Sequence, residues 1–103
     1  MIMSARLHQL MSADPRAVAD CSTFLQPGDE LLLIDAGVHL LTDPDALLAR
    51  FKNHDYAPKI SALCADVLSR GLEAQSKHTG ISLLSDRQWV ERVCSCRQVL
   101  SWK

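Results

Sequence analysis

Four cysteines and four histidines are the side chains of this 103-residue sequence best suited to nucleophilic, redox or metal chemistry. A cysteine attacks or carries sulfur as the thiolate, which requires partial exposure and help from a positive charge or a helix N-terminus. Cys21 meets little of that requirement. It falls in the middle of an expected helix, on an apolar stripe with Val18, Phe24 and Leu25 and next to Asp20. That is the setting of a small buried hydrophobe, the ordinary state of a free cysteine. Cys64 ends an apolar run, where α/β folds place ligands, just ahead of a short helix whose N-terminus would favour a thiolate; a core cysteine at a strand end is the blander account. Cys94 and Cys96 form a C-x-C pair. Structural zinc sites space paired ligands by two to four residues and need a second pair, and two steps of about 100° along a helix put these thiols on nearly opposite faces.

His8, His39, His54 and His78 are dispersed, without a His-Glu-x-x-His or Cys-His cluster. His39, two residues after Gly37, is the one histidine placed like a site residue, at the carboxyl end of a strand, although a surface-loop histidine is the better account. No G-x-S-x-G elbow, P-loop or G-x-G-x-x-G occurs, so hydrolase and nucleotide-binding readings lack their machinery. Asp43 and Asp45 read as helix-start charges rather than a catalytic pair. Neither a cofactor nor a metal is expected.

The elements that position these residues alternate between strand and helix. Leu7–Met11 is a short opening strand, followed by Asp14-Pro15, a cap and a first-turn proline. Ala17, Val18, Cys21, Phe24 and Leu25 then recur at helical spacing until Gln26-Pro27-Gly28-Asp29 stops the helix. The run Glu30-Leu31-Leu32-Leu33-Ile34-Asp35 is too short for a buried helix and reads as a strand covered on both faces, which is the mark of a parallel sheet. Thr42-Asp43-Pro44 repeats the cap-plus-proline signal and predicts a helix from Pro44 to Phe51. Pro58–Cys64 predicts a third strand, Ala65–Arg70 a short helix closed by Gly71, and Gly80–Leu84 a fourth strand. Ser85-Asp86-Arg87-Gln88 has capping-box spacing and opens a last helix that buries Trp89, Val90, Val93 and Cys94. The tail, Gln98–Lys103, forms a fifth strand or docks its tryptophan on the sheet.

This rhythm predicts one domain over residues 1–103, a three-layer α/β/α fold around a mainly parallel sheet of about five strands. The length allows a single modest core that needs no staples. Four short helices cover two faces thinly, so part of the sheet or a helix face is expected to be buried by a partner. Net charge is −1 with the basic residues scattered, which argues against direct tight binding of nucleic acid. Nothing resembles an export signal or a membrane span, so a cytoplasmic location with reduced thiols is expected.

Three stretches together resemble the TusB/DsrH family: Leu7-His8-Gln9-Leu10 with the small-residue turn after it, Gly28-Asp29-Glu30-Leu31-Leu32-Leu33 leading into Asp35-Ala36-Gly37-Val38, and Ala62-Leu63-Cys64-Ala65-Asp66-Val67-Leu68-Ser69-Arg70-Gly71. Trp102 near the carboxyl end completes the pattern, which spans nearly the whole chain. The resemblance implies a DsrEFH-like fold and a heterohexamer with TusC/DsrF-like and TusD/DsrE-like subunits. Such complexes take persulfide sulfur from an upstream carrier protein and pass it on, in one branch to 2-thiolation of the wobble uridine of transfer RNA and in another to sulfur oxidation. The main persulfide cysteine belongs to the TusD/DsrE-like subunit, which makes the TusB/DsrH-like chain chiefly architectural and not an enzyme on its own. DsrH-type members can carry a cysteine on the first helix seven residues before the strand-leading glycine, and Cys21 matches that spacing to Gly28. Cys21 is therefore the candidate persulfide acceptor, in a sulfur-carrying alternative to the architectural role. A stand-alone homo-oligomer of the same fold is a further alternative.

Overall fold

A computed structural model describes residues 5–52, 58–79 and 81–103. His54 and Gly80, and the side chain of His78, lie outside what is described. The chain runs β1 (Arg6–Leu10), α1 (Pro15–Phe24), β2 (Glu30–Leu33), a 3-10 helix (Asp35–Thr42), α2 (Pro44–Phe51), β3 (Lys59–Leu63), α3 (Cys64–Ser69), α4 (Glu73–Thr79), β4 (Ser82–Leu84), α5 (Asp86–Ser95) and β5 (Gln98–Trp102). The strands form one five-stranded sheet in the order β4-β3-β2-β1-β5. Every neighbouring pair is parallel, as the two-sided apolar run of β2 requires. Strand order advances steadily from β1 to β4 and then jumps back across the sheet, so β5 lies beside β1.

Local chemistry sets the helix boundaries. The Asp14 side chain accepts the Arg16 N–H with Pro15 in the first turn, and Asp43 accepts the Ala46 N–H with Pro44 in the first turn. Ser85 and Gln88 form a reciprocal capping box at α5, each side chain bonded to the other residue's backbone N–H. The turn into β2 has Pro27 followed by Gly28 at φ 90°, closed by the Asp29 N–H on the Gln26 carbonyl at 3.0 Å. That is the geometry of a type II turn, in which the third residue must accept positive φ.

Two departures from the sequence reading stand out. Residues 35–42 form a 3-10 helix, and the polar stretch Glu73–Thr79 forms α4, an additional α-helix. Asp35 enters the 3-10 helix with φ 52°, a conformation that aspartate tolerates better than most residues. The Asp35 N–H donates to Asp66 at 2.6 Å and the Arg70 guanidinium to Asp35 at 2.9 Å, which fixes the bend. Gly37 lies against β1 so closely that a Cβ would stand 2.0 Å from the Leu10 carbonyl oxygen; only glycine fits there.

Side chains alternate across the sheet. Leu10, Leu31, Leu33 and Ala62 point to one face and pack under α1, the 3-10 helix, α2, α3 and Leu72 just ahead of α4. Leu7, Leu32, Ile34 and Leu63 point to the other, where α5 supplies Trp89 and Val93 and the turn after it supplies Cys96. Val90, expected to be buried on α5, is 58% exposed, and Cys94 is exposed as well. The polar face of this short helix is wide enough that only Trp89, Arg92 and Val93 turn inward, while Cys96, just past its end, tucks against the sheet. Phe24 also leaves the expected stripe of α1: it is 55% exposed and stacks on Trp102 with ring centres 5.5 Å apart.

Candidate functional site

The geometry assembles three groups of chemically capable residues. The first is the environment of Cys21. The inward face of α1 carries Ala17, Val18 and Cys21, and the sheet below it is leucine-rich, so Cys21 is fully buried. Burial alone pushes its thiol up to about 12, which keeps it protonated at neutral pH. A protonated, enclosed thiol does not meet the chemical requirements of a persulfide acceptor in this conformation.

The other thiols are spread apart. Cys64 is half-buried at the first position of α3, at the carboxyl end of β3, as its sequence neighbourhood indicates. Cys96 is half-buried, with Arg92 Nη2 donating toward its Sγ at 3.6 Å. Burial pushes the Cys96 thiol up, and the opposing pull of the Arg92 charge only partly offsets it. Among the described residues no three His, Cys, Asp or Glu side chains converge in a way that could hold a metal ion.

The second group was hidden in the sequence: a buried polar network joining β1, the turn before β2, and β5. His8 is fully buried, and its Nε2 lies 2.8 Å from Asp29 Oδ2. The indole N–H of Trp102 donates to His8 Nδ1 at 3.1 Å, and the two rings lie edge to edge and nearly coplanar, with an interplanar angle of 7°. An indole nitrogen only donates, so Nδ1 must be the acceptor and the ring hydrogen sits on Nε2, donated to the carboxylate. Arg6 also donates to Asp29, through Nη2 at 2.8 Å and Nε at 3.1 Å, and the Gln26 N–H adds a further bond at 3.0 Å. Burial pushes the Asp29 carboxyl up, but the bonds from Arg6, His8 and Gln26 outweigh it and hold the carboxyl below its ordinary value of 3.8. Every member is matched, and the network fastens β5 to β1; it offers no open valence to a substrate.

The third group lines a cleft of about 570 Å³ bounded by the start of α1, the 3-10 helix and α2. Its floor is apolar, with Val18, Leu47 and Phe51, while His39 and Arg50 stand on its exposed rim. It lies near the carboxyl ends of β1 and β2, the side of an α/β sheet where ligands usually bind. None of its lining residues is a cysteine, so the cleft can hold an apolar group but brings no thiol to it. His39 is thus an exposed rim residue, as a surface histidine would be, and is separate from the thiols.

A model of the family described as DsrH like protein matches residues 12–99. The chain belongs to the DsrH-like family. It is accordingly a sulfur-relay subunit, of a kind that works in a complex with other relay subunits. No functionally curated protein matches it. Among solved structures, a conserved protein of unknown function from Bacteroides thetaiotaomicron is similar with a TM-score of 0.65 at 14% identity, covering 93% of each chain. That likeness bears on the α/β fold alone. Within the described residues, no helix of this DsrH-like chain is long and apolar enough to cross a membrane.

Proposed function

We propose that this chain is an architectural subunit of a heteromeric sulfurtransferase complex in the cytoplasm, one DsrEFH-like domain beside TusC/DsrF-like and TusD/DsrE-like subunits in a heterohexamer. The complex takes persulfide sulfur from an upstream carrier and passes it toward 2-thiolation of the wobble uridine of transfer RNA. The observation that carries this reading is the enclosure of Cys21: the thiol best aligned with a relay position is fully buried and held protonated. A chain that cannot present that thiol contributes surface rather than chemistry. Such surface exists on the α5 side of the sheet, where one helix covers the apolar strand residues and Val90 faces solvent.

Co-expression with the two unlike subunits is expected to give a stable complex on size exclusion, and persulfide loading followed by intact-mass analysis is expected to add no sulfur to this chain. Components that never associate would remove the reading. A single sulfur adduct on the assembled chain that disappears in Cys21→Ser would instead select the sulfur-carrying role, with α1 opening to expose the thiol.

A further inference from the structure

Strand β5 forms one edge of the sheet and pairs only with β1 among the described residues. Sheet edges in stable proteins are usually guarded by an in-strand charge, a proline, a bulge or extreme shortness. β5 has none of these. Its five residues Gln98-Val99-Leu100-Ser101-Trp102 carry no charge and no proline, and its register with β1 runs unbroken from Arg6 opposite Gln98 to Leu10 opposite Trp102. The strand is also pinned: the Trp102 indole bonds to His8, Gln9 Nε2 donates to the Ser101 hydroxyl at 3.1 Å, and the Met11 N–H donates to the Trp102 carbonyl at 2.8 Å. A preordered edge loses little freedom when a further strand joins it.

The last of those bonds fixes which backbone groups face outward. Trp102 turns its carbonyl toward β1, so by alternation Leu100 and Gln98 do likewise, and Val99 and Ser101 direct their N–H and C=O groups away from the sheet. Around them, Val99 is 36% exposed on one side of the sheet, and Phe24 is 55% exposed beside Trp102 on the other. Arg97 and Lys103 bracket the strand with positive charge.

We propose that the outer edge of β5 is a strand-addition site for an extended segment of an unlike chain, apolar opposite Val99 and Leu100 and acidic beside Lys103. In the register centred on Leu100 a second copy fits poorly. Antiparallel pairing centred on Leu100 would set Gln98 against Trp102, Val99 against Ser101 and Arg97 against Lys103, which mismatches polar with apolar side chains and opposes like charges. The inference rests on the reading of this chain as one subunit among unlike partners, and it names where one of them attaches.

The test is backbone amide hydrogen exchange on the isolated chain and on the complex co-expressed with the TusC/DsrF-like and TusD/DsrE-like subunits. Val99 and Ser101 amides are expected to exchange at least tenfold more slowly in the complex. Val99→Pro removes one outward N–H without touching the bonds to β1, and is expected to weaken assembly at least tenfold. Val99→Lys, an edge guard that leaves the backbone intact, is the substitute if the proline variant fails to fold. A complex that forms with Val99 and Ser101 exchanging at their free rates overturns the strand-addition site while sparing the assembly. Absence of any complex removes both. Protection of the same two amides in a homodimer of the isolated chain overturns the unlike occupant.

Discussion

The two faces of this sheet are built to different standards. On the α1 side, Leu10, Leu33, Val38 and Leu41 are wholly enclosed, and even the polar groups there, His8 and Asp29, are buried with matched partners. On the α5 side the core shrinks to Leu7, Leu32, Ile34 and Leu63 beneath half-buried Trp89 and Val93. Its polar anchors are correspondingly open: the Trp89 indole donates to Gln9 at 2.7 Å, and Arg92 pairs with Glu30 while 31% exposed. Each fully buried leucine contributes roughly 1.5–3 kcal/mol. Stability is therefore concentrated on the first face.

The largest expected effect tests the polar part of the first face. Asp29→Ala strands the Arg6 charge and removes the His8 Nε2 partner in a site where Asp29 is only 5% exposed. Removing one member of a buried ionic group costs about 3–5 kcal/mol, read as a lowered urea midpoint. A loss below ~1 kcal/mol would mean that water replaces the carboxylate and that the network is not what fastens β5. The same group sets an acid limb. Because the folded carboxyl lies below its ordinary 3.8, its contribution is fully present above that value and is lost as pH falls from there through the folded value. Asp29→Asn should flatten that limb.

A somewhat smaller loss is expected for Leu33→Ala, which empties a fully buried first-face position. Truncations of this type cost about 2–5 kcal/mol, part transfer and part cavity. The matching change on the other face, Val93→Ala, removes fewer methyl groups from a half-buried site and should cost about 1 kcal/mol or less. Equal losses in parallel urea titrations would erase the contrast between the faces.

How far the sequence reveals this arrangement depends on the range of the interactions involved. The α1, α2 and α5 starts were legible because a cap and its target lie two or three residues apart, as in Asp14-Arg16, Asp43-Ala46 and Ser85-Gln88. β2 was legible because burial on both faces leaves a continuous apolar run. The 3-10 helix was not, since Ala36-Gly37-Val38-His39-Leu40-Leu41 has no cap, and its bend depends on Asp66 and Arg70 from α3. Nor was α4, a polar stretch whose buried Ser76 bonds back to its own helix. Among the groups weighed as a candidate site, the buried polar network was the least legible. His8 looked like one of four dispersed histidines because Asp29 is 21 positions away and Trp102 is 94, and only the β1–β2 and β1–β5 registers bring them together. Cys21, by contrast, carried its burial in its helical phase, so its enclosure followed from the stripe it shares with Ala17 and Val18.

The smallest effect on the isolated chain separates folding from association most cleanly. Val90 on α5 and Leu48 on α2 are both exposed apolar residues, at 58% and 41%, one over each face of the sheet. Neither packs in a core, so Val90→Lys and Leu48→Lys should each change folding stability by no more than about 0.5 kcal/mol. In the co-expressed complex the two should diverge. A lysine at position 90 would put a charge into an apolar contact and weaken assembly tenfold or more, while one at position 48 should leave it intact. If titration of the partner subunits shows the reverse order, the well-packed face is also the docking face, and thin cover on the α5 side has some cause other than a neighbour.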